Sequence, residues 1–388
     1  MPRNSSPFRK LPTISTLVLL AIVILVVVFQ SQSGASPRRV EYTPPPNATP
    51  LVTQQTVDWY SIYFTDPLAP TAKQYRGGPD EDLAQAIRQA SVSVDAAVQQ
   101  LNLWSIRDAL IDAHKRGLQV RLVMESDYMD EKEVQELISA GIEVLGDRQE
   151  GLMHNKFVIL DRMEVWTGSM NFSLNDAYRN DNNLIRIRSP RLAQNYLVEF
   201  EEMFVQDQFG PRSPANTPYP RLTVNDTQIE VYFSPDDGVQ DRLLHLIGGA
   251  QQSIAFLAYS FTSDELATAM LERAQAGVHV SGVFETSQYY SNQGTEFDHF
   301  LSSGVDVRLD GNPANMHHKV ILIDDDIVIT GSYNFSNSAE TRNDENVLIL
   351  YSAEIAAQYR QEFERIFNQA DSDTGSTNSS PFLGIAYP

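Results

Sequence analysis

His154-Asn155-Lys156-Phe157-Val158-Ile159-Leu160-Asp161 is followed, seven residues on, by Gly168-Ser169-Met170-Asn171. The frame returns 163 positions downstream as His317-His318-Lys319-Val320-Ile321-Leu322-Ile323-Asp324 and Gly331-Ser332-Tyr333-Asn334. At roughly one-in-twenty odds per fixed residue, the pattern H-x-K-x₄-D-x₆-G-S-x-N arises at a given start about once in 10⁸. A doubled match therefore marks an internal repeat. Phe157 to Leu160 and Val320 to Ile323 are near-continuous apolar runs, as expected of strands buried on both faces.

Outward from the motifs the two halves stay in register. Asp82-Leu83-Ala84-Gln85-Ala86-Ile87 matches Arg242-Leu243-Leu244-His245-Leu246-Ile247, and Ala113 to Glu125 matches Arg273 to Glu285, both at an offset of 160. The second half gains three residues between Glu285 and Gly304, and the first carries nine extra near Pro67 to Pro79. Loops that differ between otherwise equal halves are natural places for substrate selection. Apolar periodicity predicts strands at Ser93 to Val98, Val120 to Met124, Ser253 to Ala258 and Val280 to Phe284. It predicts helices over Ile106 to Arg116 and Glu265 to Ala276, ending at Gly117 and Gly277, and closing amphipathic helices over 190–207 and 352–369. The pattern is that of an α/β layer architecture with one helix-covered sheet per half. The expected repeats span 59–208 and 229–370, with a connector over 209–228 and a flexible tail over 371–388.

Composition is that of a globular chain, 42% hydrophobic and 20% charged, long enough for a large core. Cysteine is absent, which excludes disulfides, thiolate metal sites and a Cys nucleophile. Before Glu41 there are five basic residues and no acidic one; the remainder holds 24 basic and 50 acidic residues. So acidic a body is a poor general nucleic-acid binder and is repelled by strongly anionic membranes. A basic segment (1–13), an apolar run (14–30) and a Ser/Pro-rich linker (31–58) predict a signal anchor or signal peptide. The body is expected outside the cytoplasm, tethered by one N-terminal helix, or secreted if cleavage follows Ser33-Gly34-Ala35.

On a strand, His154 and Lys156 face one way with Asn155 opposite, and His317 and Lys319 do the same with His318 opposite. An imidazole beside an ammonium suits an anionic ester: the lysine holds nonbridging oxygens, and the histidine attacks phosphorus or protonates a leaving oxygen. Gly168-Ser169 and Gly331-Ser332 form tight corners whose hydroxyl and amide groups suit phosphoryl oxygens, and Asn171 and Asn334 add amide donors. Double displacement needs a nucleophile and an acid, so two copies about a pseudo-twofold axis complete one site. Asp161 and Asp324 belong to the candidate catalytic set, although at strand ends they also suit turn bonding. His318 reads as a packed or solvent-facing residue. Tyr259, Tyr289, Tyr290 and Trp104 line an access groove or pack.

These residues resemble the phospholipase D superfamily, which paired His-Lys-Asp motifs define, and the resemblance covers roughly residues 59–370. It implies two α/β sandwich repeats packed about a pseudo-twofold axis, with the active site at their interface in a monomer that is an internal pseudo-dimer. It also implies a phosphohistidine intermediate, release to water or an alcohol, and no metal or other cofactor. One of His154 and His317 is then the nucleophile and the other the acid; relatives favour the N-terminal one, His154. A carboxylate commonly supports the imidazole, and twenty-eight residues past each motif histidine stand Asn182 and Glu345. Glu345 is the expected partner of His317, which would make His317 the stronger base, while His154 has an amide unless Asp181 or Asp176 substitutes.

The implied function is a phospholipase D-type phosphoric diester hydrolase acting on phosphatidylcholine-like lipid at a membrane surface. The alternatives are a metal-independent endonuclease, which the acidic charge disfavours, and a non-catalytic surface protein that binds phosphorylated polymers. Transfer of the cardiolipin-synthase kind fits less well, since such relatives carry two N-terminal spans.

Overall fold

In the computed structural model, which describes residues 59–370, the chain folds into two α/β halves. The predicted anchor, linker and tail lie outside the described residues. The first half carries β1 (Tyr60–Phe64), β2 (Ser93–Val98), β3 (Gln119–Met124), β4 (Glu143–Gly146), β5 (Lys156–Leu160), β6 (Glu164–Gly168) and β7 (Asn183–Arg188). They form one sheet in the order β1-β7-β6-β5-β2-β3-β4. The second half carries β8 (Arg221–Val224), β9 (Thr227–Ser234), β10 (Ser253–Ala258), β11 (His279–Phe284), β12 (Asp306–Leu309), β13 (Lys319–Ile323), β14 (Ile327–Gly331) and β15 (Glu345–Tyr351). Their order, β8-β9-β15-β14-β13-β10-β11-β12, repeats the first sheet strand for strand once β8 is set aside. β8 falls inside the predicted connector; there the chain instead pairs antiparallel with β9, Arg221 opposite Glu230.

Alternation along the motif strands divides the apolar side chains between two cores. Phe157 and Ile159 point inward while Val158 and Leu160 point outward; Val320 and Leu322 point inward while Ile321 and Ile323 point outward. Each outer core is closed by the helices of its own half, Pro79–Gln89 and Trp104–Lys115 in the first, Val239–Gly249 and Asp264–Gln275 in the second. The inner core is common to both halves. It takes Tyr196, Phe200 and Met203 from helix Pro190–Gln206, and Tyr359, Phe363 and Ile366 from helix Ala353–Gln369. Both long helices start at a serine N-cap, Ser189 and Ser352, whose hydroxyls accept the amides of Leu192 and Ile355. Polar bonds pin the halves in register above this core. Thr167 Oγ1 donates to Asn346 Oδ1 at 2.8 Å, and Asn183 Nδ2 donates to Thr330 Oγ1 at 2.6 Å.

Candidate active site

Each motif histidine sits just before its strand, held by a segment from the other half. His154 donates its amide to Asp344 O at 3.0 Å, and Asp344 returns its own to Leu152 O at 2.9 Å. Reciprocally, His317 donates to Asp181 O and Asp181 to Asn315 O, both at 2.8 Å. The segments Asn180-Asp181-Asn182-Asn183 and Asn343-Asp344-Glu345-Asn346 thus cross between halves. This crossing decides which acceptor reaches which imidazole.

Glu345 Oε2 lies 2.6 Å from His154 Nδ1. Around His317 Nδ1 stand Asn182 Oδ1 at 3.0 Å and Asp176 Oδ1 at 3.2 Å. The expectation that Glu345 serves His317 is therefore corrected: it serves His154, and Asp176 lies on His317 rather than on His154. Spacing alone pairs a residue with the histidine of its own motif, whereas the crossed segments pair it with the other. The extra signal was present at the offset of 163, where Asp176 faces Ala339.

The lysines turn back onto the motif backbone, Lys156 Nζ to His154 O at 2.7 Å and Lys319 Nζ to His317 O at 2.8 Å. Lys156 also donates to Gln99 Oε1 at 3.3 Å. At the matching position, Tyr259 presents its ring 4.6 Å from Lys319 Nζ and edge-on to His317, centroids 4.5 Å apart. Tyr259 is thus part of the site. Tyr289 instead packs on Phe297, and Trp104 lies under Arg76.

The cluster is dry: the imidazoles are 5% and 7% exposed and the lysines 0% and 2%. Burial lowers His154 well below the usual imidazole range, and Lys156 and Lys319 lower it further. Burial and the same two lysines bring His317 down to about 3. Lys156 falls to about 8 on burial, and Lys319 falls well below its ordinary value through burial and repulsion by Lys156. Charges from both halves therefore act on each imidazole. Burial raises Glu345 to about 8 against the pull of Lys156. Asp176 goes the other way, since the His317 imidazole and the bonds from Ser173 and Asn180 outweigh its burial.

Ser169 and Ser332, expected at the phosphate, are engaged in orienting the crossed segments. Ser169 Oγ donates to Asn182 Oδ1 at 2.9 Å and accepts the Asn183 amide at 3.1 Å; Ser332 Oγ accepts the Asn346 amide at 3.0 Å. The motif glycines are required by close approach: a Cβ on Gly168 would lie 2.3 Å from Asn183 O, and one on Gly331 2.1 Å from Asn346 O. Asn171 is buried and Asn334 half-buried, each with an enclosed Oδ1 atom that accepts no hydrogen bond. Their carboxamides remain available to a ligand.

Asp161 and Asp324 leave the candidate catalytic set. Asp161 accepts the amides of Ser91, Val92 and Ser93, and Asp324 those of Gln251, Gln252 and Ser253, each within 3.1 Å. Both have positive φ, 53° and 52°, at the corners that end β5 and β13. Their carboxylates tie the start of β2 and β10 to those corners. His318 is a packed residue, its Nε2 3.1 Å from Glu362 Oε1.

The family described as "Cardiolipin synthase, PLD-like domain" matches residues 83–204 and again 243–367, once per half. The chain belongs to the phospholipase D superfamily. Among members of this superfamily, the mitochondrial cardiolipin hydrolase of Xenopus tropicalis is 36% identical over 135 residues, 35% of this chain and 64% of that protein. A phospholipase D of Rickettsia bellii is 34% identical over 154 residues, 38% of this chain and 76% of that protein. The chain spans between 56% and 64% of the length of the first two cardiolipin hydrolases it matches. The solved phosphatidylserine synthase of Haemophilus influenzae superposes with a TM-score of 0.59 over 75% of this chain and 84% of that one; at 12% identity the likeness is one of fold.

Proposed function

We propose that the chain is a phosphodiesterase that cleaves glycerophospholipid head groups through a phosphohistidine. The observation that carries this reading is the buried cluster of two imidazoles and two lysine amines, each imidazole held at Nδ1 by the opposite half. With Nδ1 engaged, Nε2 is the nitrogen left for chemistry. His154 Nε2 attacks phosphorus while His317, which takes up a proton at Nε2 when the anionic diester binds, gives that proton to the departing head-group oxygen, so the P–N bond forms as the P–O bond breaks. Water, losing a proton to His317, then attacks phosphorus, releasing phosphatidic acid and free His154. Lys156, Lys319, Asn171 and Asn334 hold the nonbridging oxygens and stabilise the charge of the transition state. Glu345, the carboxylate that argued for His317 as nucleophile, lies on His154 instead and supports His154 in that role.

The relatives, a cardiolipin hydrolase and a phospholipase D, support lipid as the substrate class. The acidic body disfavours nucleic acid. We further propose that the body works outside the cytoplasm beside a membrane, on the strength of the basic-then-apolar N-terminus.

The test uses the purified chain in EDTA with vesicles of phosphatidylcholine or of cardiolipin plus ethanol, and DNA in a separate tube. Phosphatidylethanol formed by wild type and lost in His154→Ala and His317→Ala is the expected result. DNA cleavage with untouched lipid overturns the lipid reading.

A further inference from the structure

The two halves are built alike around their imidazoles, but one carboxylate has changed place. At offset 163, Asn182 stands where the second half has Glu345, and Asp176 stands where it has Ala339. Each half therefore supplies one carboxylate to the opposite histidine from a different position. The buried Glu345 reaches His154 directly. From the first half, an amide and a carboxylate reach His317 together, at 3.0 and 3.2 Å.

The turn that carries Asp176 shows how the exchange is accommodated. Ser173 and Ser336 are equivalent N-caps of the short helices Leu174–Tyr178 and Asn337–Thr341, accepting the amides of Asp176 and Ala339. In the first half Ser173 also donates to Asp176 Oδ2 at 2.6 Å. A carboxylate at that position is therefore gripped by the hydroxyl of its own cap. Capping occupies Oδ2 only. Oδ1 turns the other way, toward His317 Nδ1, Asn182 Nδ2 at 3.1 Å and Asn180 Nδ2 at 3.4 Å. Asn182 thus links the two: its Nδ2 donates to Asp176 and its Oδ1 faces His317. A residue serving only as a cap has no need of a second oxygen aimed at a buried imidazole.

We propose that Asp176 is the positioning carboxylate of His317, doing from the helix turn what Glu345 does for His154, while Asn182 relays and orients. The role rests on the phosphodiesterase reading above. Asp176 touches neither phosphorus nor the leaving group; it holds the His317 Nδ1 proton and so keeps Nε2 as the working nitrogen. Two chemically different supports follow for two otherwise equivalent histidines, and with them a fixed division of roles.

The experiment compares wild type, Asp176→Asn, Asp176→Ala and the double variant Asp176→Ala/Asn182→Glu. Hydrolysis of bis-p-nitrophenyl phosphate is one readout, and the ¹⁵N spectrum of the His317 ring at neutral pH, without substrate, is the other. Asp176→Asn keeps the cap but removes the charge. It is expected to lower kcat by about 10²–10⁴ with KM changed less than about threefold, and to move His317 away from a pure Nδ1–H tautomer. The double variant, which restores a carboxylate at position 182, is expected to recover at least about tenfold over Asp176→Ala. Wild-type kcat in Asp176→Asn, or a folded double variant no better than Asp176→Ala, overturns the proposal. If wild type hydrolyses no diester, the phosphodiesterase reading falls by itself. The ring spectrum then decides the pairing: an unchanged tautomer in Asp176→Asn overturns it, and a changed one upholds it.

Discussion

Glu345 and His154 stand 191 positions apart in the chain and 2.6 Å apart in the fold, one from each half of the repeat. Neither half can therefore assemble a supported imidazole alone. Replacing Glu345 with Gln keeps the shape and an acceptor but removes the ionisable oxygen beside the proposed nucleophile. We expect kcat to fall by about 10²–10⁴, more than any change in KM, in steady-state assays of the purified variant. An unchanged kcat would remove Glu345 from the mechanism.

The two lysines repel one another in a dry site, and each is lowered from its ordinary value, Lys156 to about 8. An anion placed between them favours their charged forms and draws protons in. Inorganic phosphate should therefore bind with net proton uptake, and more tightly at pH 7 than at pH 9. Calorimetry in buffers of different ionisation enthalpy reads the proton count directly; binding without uptake, or tighter at pH 9, contradicts it.

Asp161 and Asp324 make the opposite kind of prediction. From the corners of β5 and β13 their carboxylates bond backbone amides at the start of β2 and β10. Asp161→Asn should cost about 1–2 kcal/mol in chemical denaturation and leave kcat per folded molecule unchanged. A loss of kcat at full foldedness would return the motif aspartate to the active site.

Near the long helix of the first half lies a group of carboxylates that the second half tempers with a cation. Arg365 bonds Asp181 and Glu362, whereas the equivalents at offset 163 are Glu202, Asp344 and Glu199. Burial first, then Asp236, Asp344 and Glu202, raise Glu199 well above its ordinary value. A carboxyl raised on folding holds its proton in the native state after the unfolded chain has released it. Its contribution to stability therefore falls as pH climbs from the unfolded pKa, about 4.3, toward the folded one. Glu199→Gln should gain in Tm relative to wild type as pH rises from 5 to 8. A difference flat with pH refutes the assignment.

Small changes at the motif corners should also be costly. An alanine at Gly168 or Gly331 puts Cβ within 2.3 Å of a backbone oxygen, at a φ of 155° or 145°. Loss of soluble folded protein, or a Tm lowered by several degrees, is the expected outcome in thermal unfolding.

The amino-acid sequence by itself determined the repeat, its α/β class and most of its strands. Ser93–Val98 and Ser253–Ala258 lie where their apolar runs predict, because strand period and breaker residues are local properties. It also named the histidines and lysines that the fold brings into one cluster. Edge strand β8 escaped it, since pairing with β9 rather than apolar pattern makes that segment a strand. Only the tertiary structure decided the partners of the two imidazoles. Packing both long helices into one inner core lays each Asn-Asp-x-Asn segment against the other half's histidine, through the bridges Met153 to Asp344 and Asp181 to Met316. Motif spacing encodes which residues share a strand or a turn. Contact across a shared core depends on how two surfaces fit, and so Glu345 went to His154 and Asp176 to His317.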